Sequence, residues 1–560
     1  MLPSPAGIAE VIVRYQRKTV HSTWVTLALT AGLTAGWSTA WAAPSLAAKK
    51  AAPKPPPAVA AAQEAPLPKP WPAQRFSLAN GLRVVIHTER SAPLVAVGIL
   101  VDVGSRDEEE GRSGLAHFFE HMMFQGSQRV AKMDHFRLLE AQGGEVNANT
   151  SVDRTWYYQI VPKPALELAL WLEAERFSHL KIDAANVDNQ RQAVLAEMAE
   201  RYDNQPLARS QLAVPDHVFG QWPLRHSTIG EAADLIAAPL KAFQEFWLRW
   251  YAPENCVLVL SGDIDALQAR PLLEATVGRI KPRGVPPRKS HGETAAATHS
   301  FAVVRDPLTQ APAVHLAWKV PAQPSADAAA LDLLAQILGG GEASRLEKRL
   351  VREKALVTSY YAATHGRRDH DVLQVYAELT EPSAAALQEV KRRIRAEIID
   401  IALNGVTAGE LQRAKTVFEA SWVSAASSPG TRAELLATFE AYHGDANRLS
   451  DLLPRYRAID AAAVQQVARR WLRWDRETEI DALPAAMAET KLAPKAEWIA
   501  RAEKQLSEAE AREAAAKAKA EQDAQRRAVE PPPAAAPPAQ AADVPASLPA
   551  TATPVGSELP

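Results

Sequence analysis

The chain has 560 residues, 47% of them hydrophobic, and sets 63 Lys and Arg against 65 Asp and Glu for a net charge of −2. That balance offers no electrostatic footprint for a nucleic-acid partner. The single cysteine, Cys256, excludes an intrachain disulfide, and its apolar run Cys256-Val257-Leu258-Val259-Leu260 places it in a core rather than among reactive thiols.

At the N-terminus, Arg14, Arg17 and Lys18 precede a stretch from 19 to 43 without Asp, Glu, Lys or Arg, which closes on the small-x-small pattern Ala40-Trp41-Ala42. This predicts a signal peptide over 1–43, cleaved near Ala43, and hence a periplasmic protein if the source is Gram-negative. The alternative is an uncleaved anchor in the inner membrane, since the uncharged run is long enough to span a bilayer. Residues 44–72 are rich in Ala, Pro and Lys and predict a flexible tether that cannot bury a core. The roughly 400 residues between the tails suit two domains.

The first of these is expected over 73–280. Asn80-Gly81 signals a turn into a strand over 82–87, with a second over 94–103. A helix over 133–142 ends at Gly143-Gly144. Residues 146–161 are strand-like, 164–180 fits a helix burying Leu166, Leu170 and Phe177, 239–250 is helical, and 257–260 reads as a buried strand. Strands and helices interleave without regular alternation, so the fold class is α+β, a sandwich rather than a Rossmann fold.

Between the second strand and the 133–142 helix lies Gly114-Leu115-Ala116-His117-Phe118-Phe119-Glu120-His121-Met122-Met123-Phe124. As a helix it sets His117 and His121 one turn apart on one face, with Glu120 bordering that face. Two such imidazoles can ligate one zinc ion, and the carboxylate beside them can take a proton from water. Phe118, Met122 and Phe124 would anchor the helix in a core. A catalytic zinc needs a third protein ligand. Glu197 is the candidate: it sits among Val187, Val194, Leu195 and Met198 at helical spacing, where an unpartnered carboxylate is costly. Asp183 is placed to cap that helix.

The inverted motif, followed 76 residues later by Glu197, resembles the zinc proteases that include pitrilysin, insulin-degrading enzyme and the mitochondrial processing peptidase. Matching surroundings are Gly143-Gly144-Glu145-Val146-Asn147-Ala148 with Thr155 and Tyr157, then His226-Ser227-Thr228-Ile229-Gly230, Tyr251-Ala252-Pro253-Glu254-Asn255 and Ser261-Gly262-Asp263. The resemblance implies a zinc metalloendopeptidase with one Zn²⁺ per chain on His117, His121 and Glu197, and Glu120 as general base. It implies a peptide substrate added to an edge strand at Asn147 and Ala148. It also places Gln190 where relatives often carry an accessory Glu. Family members that lost their zinc ligands serve as scaffolds, so a non-catalytic subunit is the alternative reading. A zinc hydrolase acting on a non-peptide substrate is a more distant one.

Residues 281–299 read as a linker, and a second, metal-free module is expected over 300–490. Pro312-Ala313-Val314-His315-Leu316-Ala317-Trp318 echoes Pro93-Leu94-Val95-Ala96-Val97-Gly98-Ile99, and a helix over 328–338 stands in the place of the motif helix without its histidines. The expected architecture is therefore two homologous α/β sandwich modules in tandem. In the family an Arg and a Tyr of the second half hold substrate; Arg352 matches the Arg, while Thr358 stands at the Tyr position with Tyr360 and Tyr361 just beyond. Arg345 and Arg352 also fit a solvated basic helix face, and His365 and His370 are expected at the surface. One pair of modules, against two in single-chain relatives, implies a partner: a zinc-free homologue or a second copy. Residues 491–528 predict a charged exposed helix and 529–560 a disordered Pro/Ala-rich tail.

Overall fold

The computed structural model describes residues 71–284, 299–323, 325–491 and 495–529. The expected signal peptide, nearly all of the tether, most of the 281–299 linker and nearly all of the 529–560 tail lie outside the described residues.

The first module runs β1 (Ala73–Ser77), β2 (Arg83–Thr88), β3 (Leu94–Val101), α1 (Leu115–Met122), α2 (Asp134–Glu140), β4 (Glu145–Thr150), β5 (Thr155–Pro162), α3 (Leu166–His179), α4 (Ala184–Met198), α5 (Ala208–Val218), α6 (Leu240–Trp250), β6 (Cys256–Gly262) and α7 (Ala266–Ala275). Its strands lie in the order β1-β2-β6-β3-β5-β4. The strand-like stretch 146–161 is a hairpin, β4 pairing with β5 from Glu145↔Ile160 to Thr150↔Thr155. Asp183 caps α4 by accepting from Asn186 N.

The second module runs β7 (Ser300–Asp306), β8 (Ala313–Pro321), α8 (Ala328–Gly339), β9 (Val357–Thr364), β10 (His370–Leu379), α9 (Ala384–Asn404), α10 (Ala408–Ser427), α11 (Pro429–His443), α12 (Ala461–Trp471) and β11 (Thr478–Pro484). Its strand order is β7-β11-β8-β10-β9. Without β1, the two sheets are the same construction. β2 and β6 pair parallel, as do β7 and β11. Then β6-β3-β5-β4 and β11-β8-β10-β9 each continue antiparallel. The echo between β3 and β8 is thus a true structural equivalence, and the fold is α+β with two homologous modules.

Strands β6 and β11 are buried at every residue. A continuous apolar strand of this kind needs cover on both faces. Val95, Val97, Ile99 and Val101 of β3 join the core that includes α1 and α3 residues. Ala96, Gly98 and Leu100 point the other way. There the cover is α11, a helix of the second module, which packs on β3 and β6. Reciprocally, α5 of the first module packs on β7, β8 and β11. Its Val214 and Val218 share an apolar cluster with Ala317, Val372 and Ile480. α5 and α11 are each the third helix after their module's hairpin, so the exchange is symmetric. Leu207 makes the turn into α5 at φ 65°, in the left-handed region that a leucine seldom adopts. Its N–H is held by Asp306 at the end of β7.

A final helix, α13 (Glu497–Val529), starts with Ile499 and Ala502 buried; from Glu503 onward the chain forms a separate unit. No helix among the described residues is long and apolar enough to cross a membrane.

Because each sheet depends on a helix lent by the other, the two modules should unfold together. Leu436→Ala, at a fully buried position of α11, is expected to lower stability by about 2–5 kcal/mol while keeping one transition for both modules. Calorimetry and urea titration read this; two separated transitions would contradict it.

Candidate metal centre

Helix α1 is held at its start and on its flank. Gly114, at φ +87°, opens it; a Cβ there would lie 2.5 Å from the Ile229 carbonyl oxygen. Gly230, at φ +80°, faces it just as closely, a Cβ at that position falling 2.4 Å from Gly114 N. The two glycines let the 226–230 loop touch the start of the helix. Beneath them, the fully buried side chain of Glu108 accepts from Gly114 N at 2.8 Å and Ala116 N at 2.7 Å. It brings negative charge to the positive end of the helix dipole. His226 Nε2 lies 2.9 Å from the same carboxylate. Burial raises the Glu108 pKa against these bonds. At His226 burial pulls the other way, but the bond to Glu108, that carboxylate's charge and the backbone carbonyls of Trp222 and Ser105 together outweigh it and hold the imidazole above its ordinary pKa. Ser113 Oγ donates to Asp234 at 2.6 Å and accepts from Glu231 N at 2.9 Å. On the flank, the Tyr157 hydroxyl donates to the Phe119 carbonyl at 3.1 Å and lies 2.8 Å from Tyr251 Oη. Phe118 and Phe119 pack on Phe243, and Phe119 stacks on Phe246.

So fixed, α1 faces α4. His117, His121 and Glu197 each present one ligand atom, and all three atoms lie within 4.8 Å of one another, the one such group among the described residues. Glu197 Oε2 is 3.1 Å from His121 Nε2 and 3.7 Å from His117 Nε2. Donors about 2.0–2.1 Å from a tetrahedral zinc lie about 3.3 Å apart. The spacing and the two-imidazole, one-carboxylate chemistry therefore fit zinc. Burial lowers the His117 pKa, which favours the neutral ring that a metal requires. At His121 burial acts the same way but is outweighed by Glu197, so its pKa is raised. Burial opposes the Glu197 charge, yet its bond to His121 and the neighbouring cations bring it down to about 2. Arg201, in the wider turn Ala199–Asp203 that continues α4, holds Glu197 Oε1 at 3.0 Å. Glu120 is half-buried and accepts from Thr150 Oγ1 at 2.6 Å. Its charge works to raise the pKa of both histidines.

The other expected residues are dispersed. Asn147 is exposed on β4, the edge strand of its sheet, and its Oδ1 accepts from Ala148 N at 2.8 Å. Gln190 is buried on α4 and donates to Asn189 Oδ1 at 3.0 Å. Arg352 belongs to the second module, where it pairs with Glu347 at 3.2 Å and donates to the Glu342 carbonyl at 2.7 Å. The Tyr360 hydroxyl reaches the same Glu347 at 2.9 Å, while Tyr361 donates to Gln211 at 3.0 Å. Arg345 is no solvated face residue: it bridges Asp400 and Glu410, each at 2.7 Å. His365 is no surface residue either. It is half-buried against Gln374 at 2.9 Å, and burial pulls its pKa down to about 4.

Glu108, Thr150 and Arg201 escaped the sequence reading. Glu108 stands in Asp107-Glu108-Glu109-Glu110, a run that looks like solvated charge. For Thr150 the available signal was strand alternation along β4, which puts it on the same face as Ala148.

Fold and site define an α+β protein of two tandem modules, one of which carries a cluster of two His and one Glu spaced to hold a metal ion. The chain belongs to the insulinase family, peptidase family M16: residues 83–231 match the model of that family, and residues 238–418 match its inactive domain. An uncharacterised zinc protease of Mycobacterium tuberculosis is 30% identical over 403 residues, 71% of this chain and 90% of that protein. The crystal structure of a protease from Helicobacter pylori superposes with a TM-score of 0.70 at 26% identity, over 74% of this chain and all of that one. The periplasmic protease PqqL from Escherichia coli superposes with a TM-score of 0.63 at 20% identity, over 79% of this chain and 51% of PqqL.

A side chain at Gly230 has no room and meets a φ that L residues rarely adopt. Gly230→Ala is expected to cost more than the roughly 1–2 kcal/mol of left-handed strain alone and to push α1 from its place. Lowered melting temperature together with weakened zinc binding is the expected result; unchanged zinc affinity would mean the loop does not set the helix.

Proposed function

We propose that this chain is a zinc-dependent endopeptidase that hydrolyses peptides or unfolded polypeptides, with one zinc per chain on His117, His121 and Glu197. The observation that carries it is the meeting of two helices, distant in sequence, that sets three ligand atoms at zinc spacing beside a fourth, acidic side chain. The relatives named zinc proteases support the same chemistry. Zinc held by His117, His121 and Glu197 would supply a Lewis acid that polarises a scissile carbonyl and lowers the pKa of water toward neutrality. Glu120 accepts the proton of the attacking water and passes it to the leaving amine.

The peptide binds extended along β4, whose outer backbone edge has no strand beside it among the described residues. Pairing through Asn147 and Ala148 gives affinity with little sequence preference. Arg352 is a further substrate contact from a second module. That role suits an assembly in which a zinc-free homologue or a second copy supplies the wall opposite the zinc helix, since PqqL carries this fold in about half its length. A non-catalytic scaffold is the competing reading. Its support is the match to an inactive domain, yet that match spans 238–418, the part without His117, Glu120, His121 and Glu197. The N-terminal sequence supports export to the periplasm.

Chelator-free protein is expected to retain about one zinc, and the double variant His117→Ala, His121→Ala none. Glu120→Gln is expected to keep zinc while hydrolysis falls by about 10²–10⁴-fold or more. Near-normal turnover with zinc in place would assign the proton transfer to another group. Protein purified from the cell envelope should begin near Ala43 and scatter light above monomer mass. An intact Met1 would favour the anchor, and full activity from a strict monomer would rule out the partner.

A further inference from the structure

The side chain proposed as base is tied to the strand proposed to receive substrate. We propose that Thr150 is a positioning residue that orients the Glu120 carboxylate, an inference that rests on the reading of Glu120 as the base. Thr150 ends β4, and its Oγ1 donates to Glu120 Oε2 at 2.6 Å. That length is in the range of a strong hydrogen bond from a hydroxyl to a carboxylate. Among the described residues no hydrogen bond engages Oε1, so one oxygen is held and the other stays available for a proton. A glutamate has several rotatable bonds, and an unrestrained carboxylate spreads over several rotamers.

Thr150 can restrain it because Thr150 is itself restrained. It is β-branched and stiff at its first side-chain torsion. Its backbone closes the β4–β5 hairpin opposite Thr155. Its neighbour Asn149 accepts from Arg154 Nη1 at 2.6 Å, and Arg154, with 1% of its side chain exposed, pairs with Glu434 of α11. The metal-free module therefore anchors, through the helix it lends, the hairpin that holds the base. Peptide pairing on β4 and alignment of Glu120 then share one rigid strand.

Thr150→Val keeps the shape and removes the hydroxyl; Thr150→Ser keeps the hydroxyl and removes the methyl. The Val variant is expected to keep its zinc and its KM and to lose about 10–100-fold in kcat, the scale of a slightly misplaced catalytic group. The Ser variant should recover most of that rate. Parent-like kcat in the Val variant, or a Ser variant as slow as Val with zinc and fold intact, would overturn the proposal. Crystallography of both variants reads the carboxylate without any assay of activity: Glu120 displaced in Val and not in Ser supports the proposal, and Glu120 unmoved in Val overturns it. A parent protein that binds zinc and cleaves no peptide would sink the peptidase reading, while the carboxylate's place would still decide this one.

Discussion

Two sheets with apolar residues on both faces cannot stand alone in water, and the burial of their second faces is the constraint on which the rest of this structure depends. The chain meets it by exchange. Helix α11 leaves the second module to cover β3 and β6, and α5 leaves the first to cover β7, β8 and β11. Small residues fit the helix to the sheet: a Cβ on Gly430 would already sit 3.2 Å from Ile160. Ion pairs at the rim then fix the registration. Arg106 bonds Asp153 at 2.7 Å and also pairs with Asp369, and Arg368 bonds Asp102 at 3.0 Å, so the turn between β9 and β10 is tied to the first sheet. Buried and half-buried pairs of this kind add less to net stability than to geometry.

The His117, His121 and Glu197 cluster is built on that rigid body by a short helix with little intrinsic stability. Eight residues of α-helix would not persist alone. Here the helix start is taken by Glu108 and the Gly114–Gly230 contact, the flank by Tyr157 and Tyr251, and the apolar face by Phe243 and Phe246. The histidines need no freedom of their own, because the backbone that carries them has none. Among the described residues, buried His117 Nδ1 has no hydrogen-bond partner.

The duplicate shows what the fold alone requires. α8 occupies the place of α1, and ten of its twelve residues are buried, nearly all Ala and Leu. Its Asp332, half-buried and pushed upward in pKa by desolvation, is satisfied within the module by Thr364 and Tyr456. A helix in this position thus serves the sandwich equally well with or without ligands, so the chemistry is an addition to the architecture and not a consequence of it.

The sequence by itself determined the periodic features. One helical turn between His117 and His121, the apolar neighbours of Glu197, the turn at Asn80-Gly81, the buried run at 257–260 and the echo of β3 in β8 are all local or pairwise patterns, and each reads correctly without coordinates. What only the tertiary structure decided involves partners far apart in the chain. Glu108 stands in an acidic run, and only the fold closes His226 and the α1 amides around it. Arg345 and His365 looked exposed because their partners lie on other elements. The exchange of α5 and α11 leaves no mark on either helix, since an amphipathic face records that it is covered but not by what. Thr150 meets Glu120 only because a hairpin and a helix, each fixed by different neighbours, converge. Hydrophobic spacing is written along the chain; the choice of who covers whom is settled by packing in three dimensions.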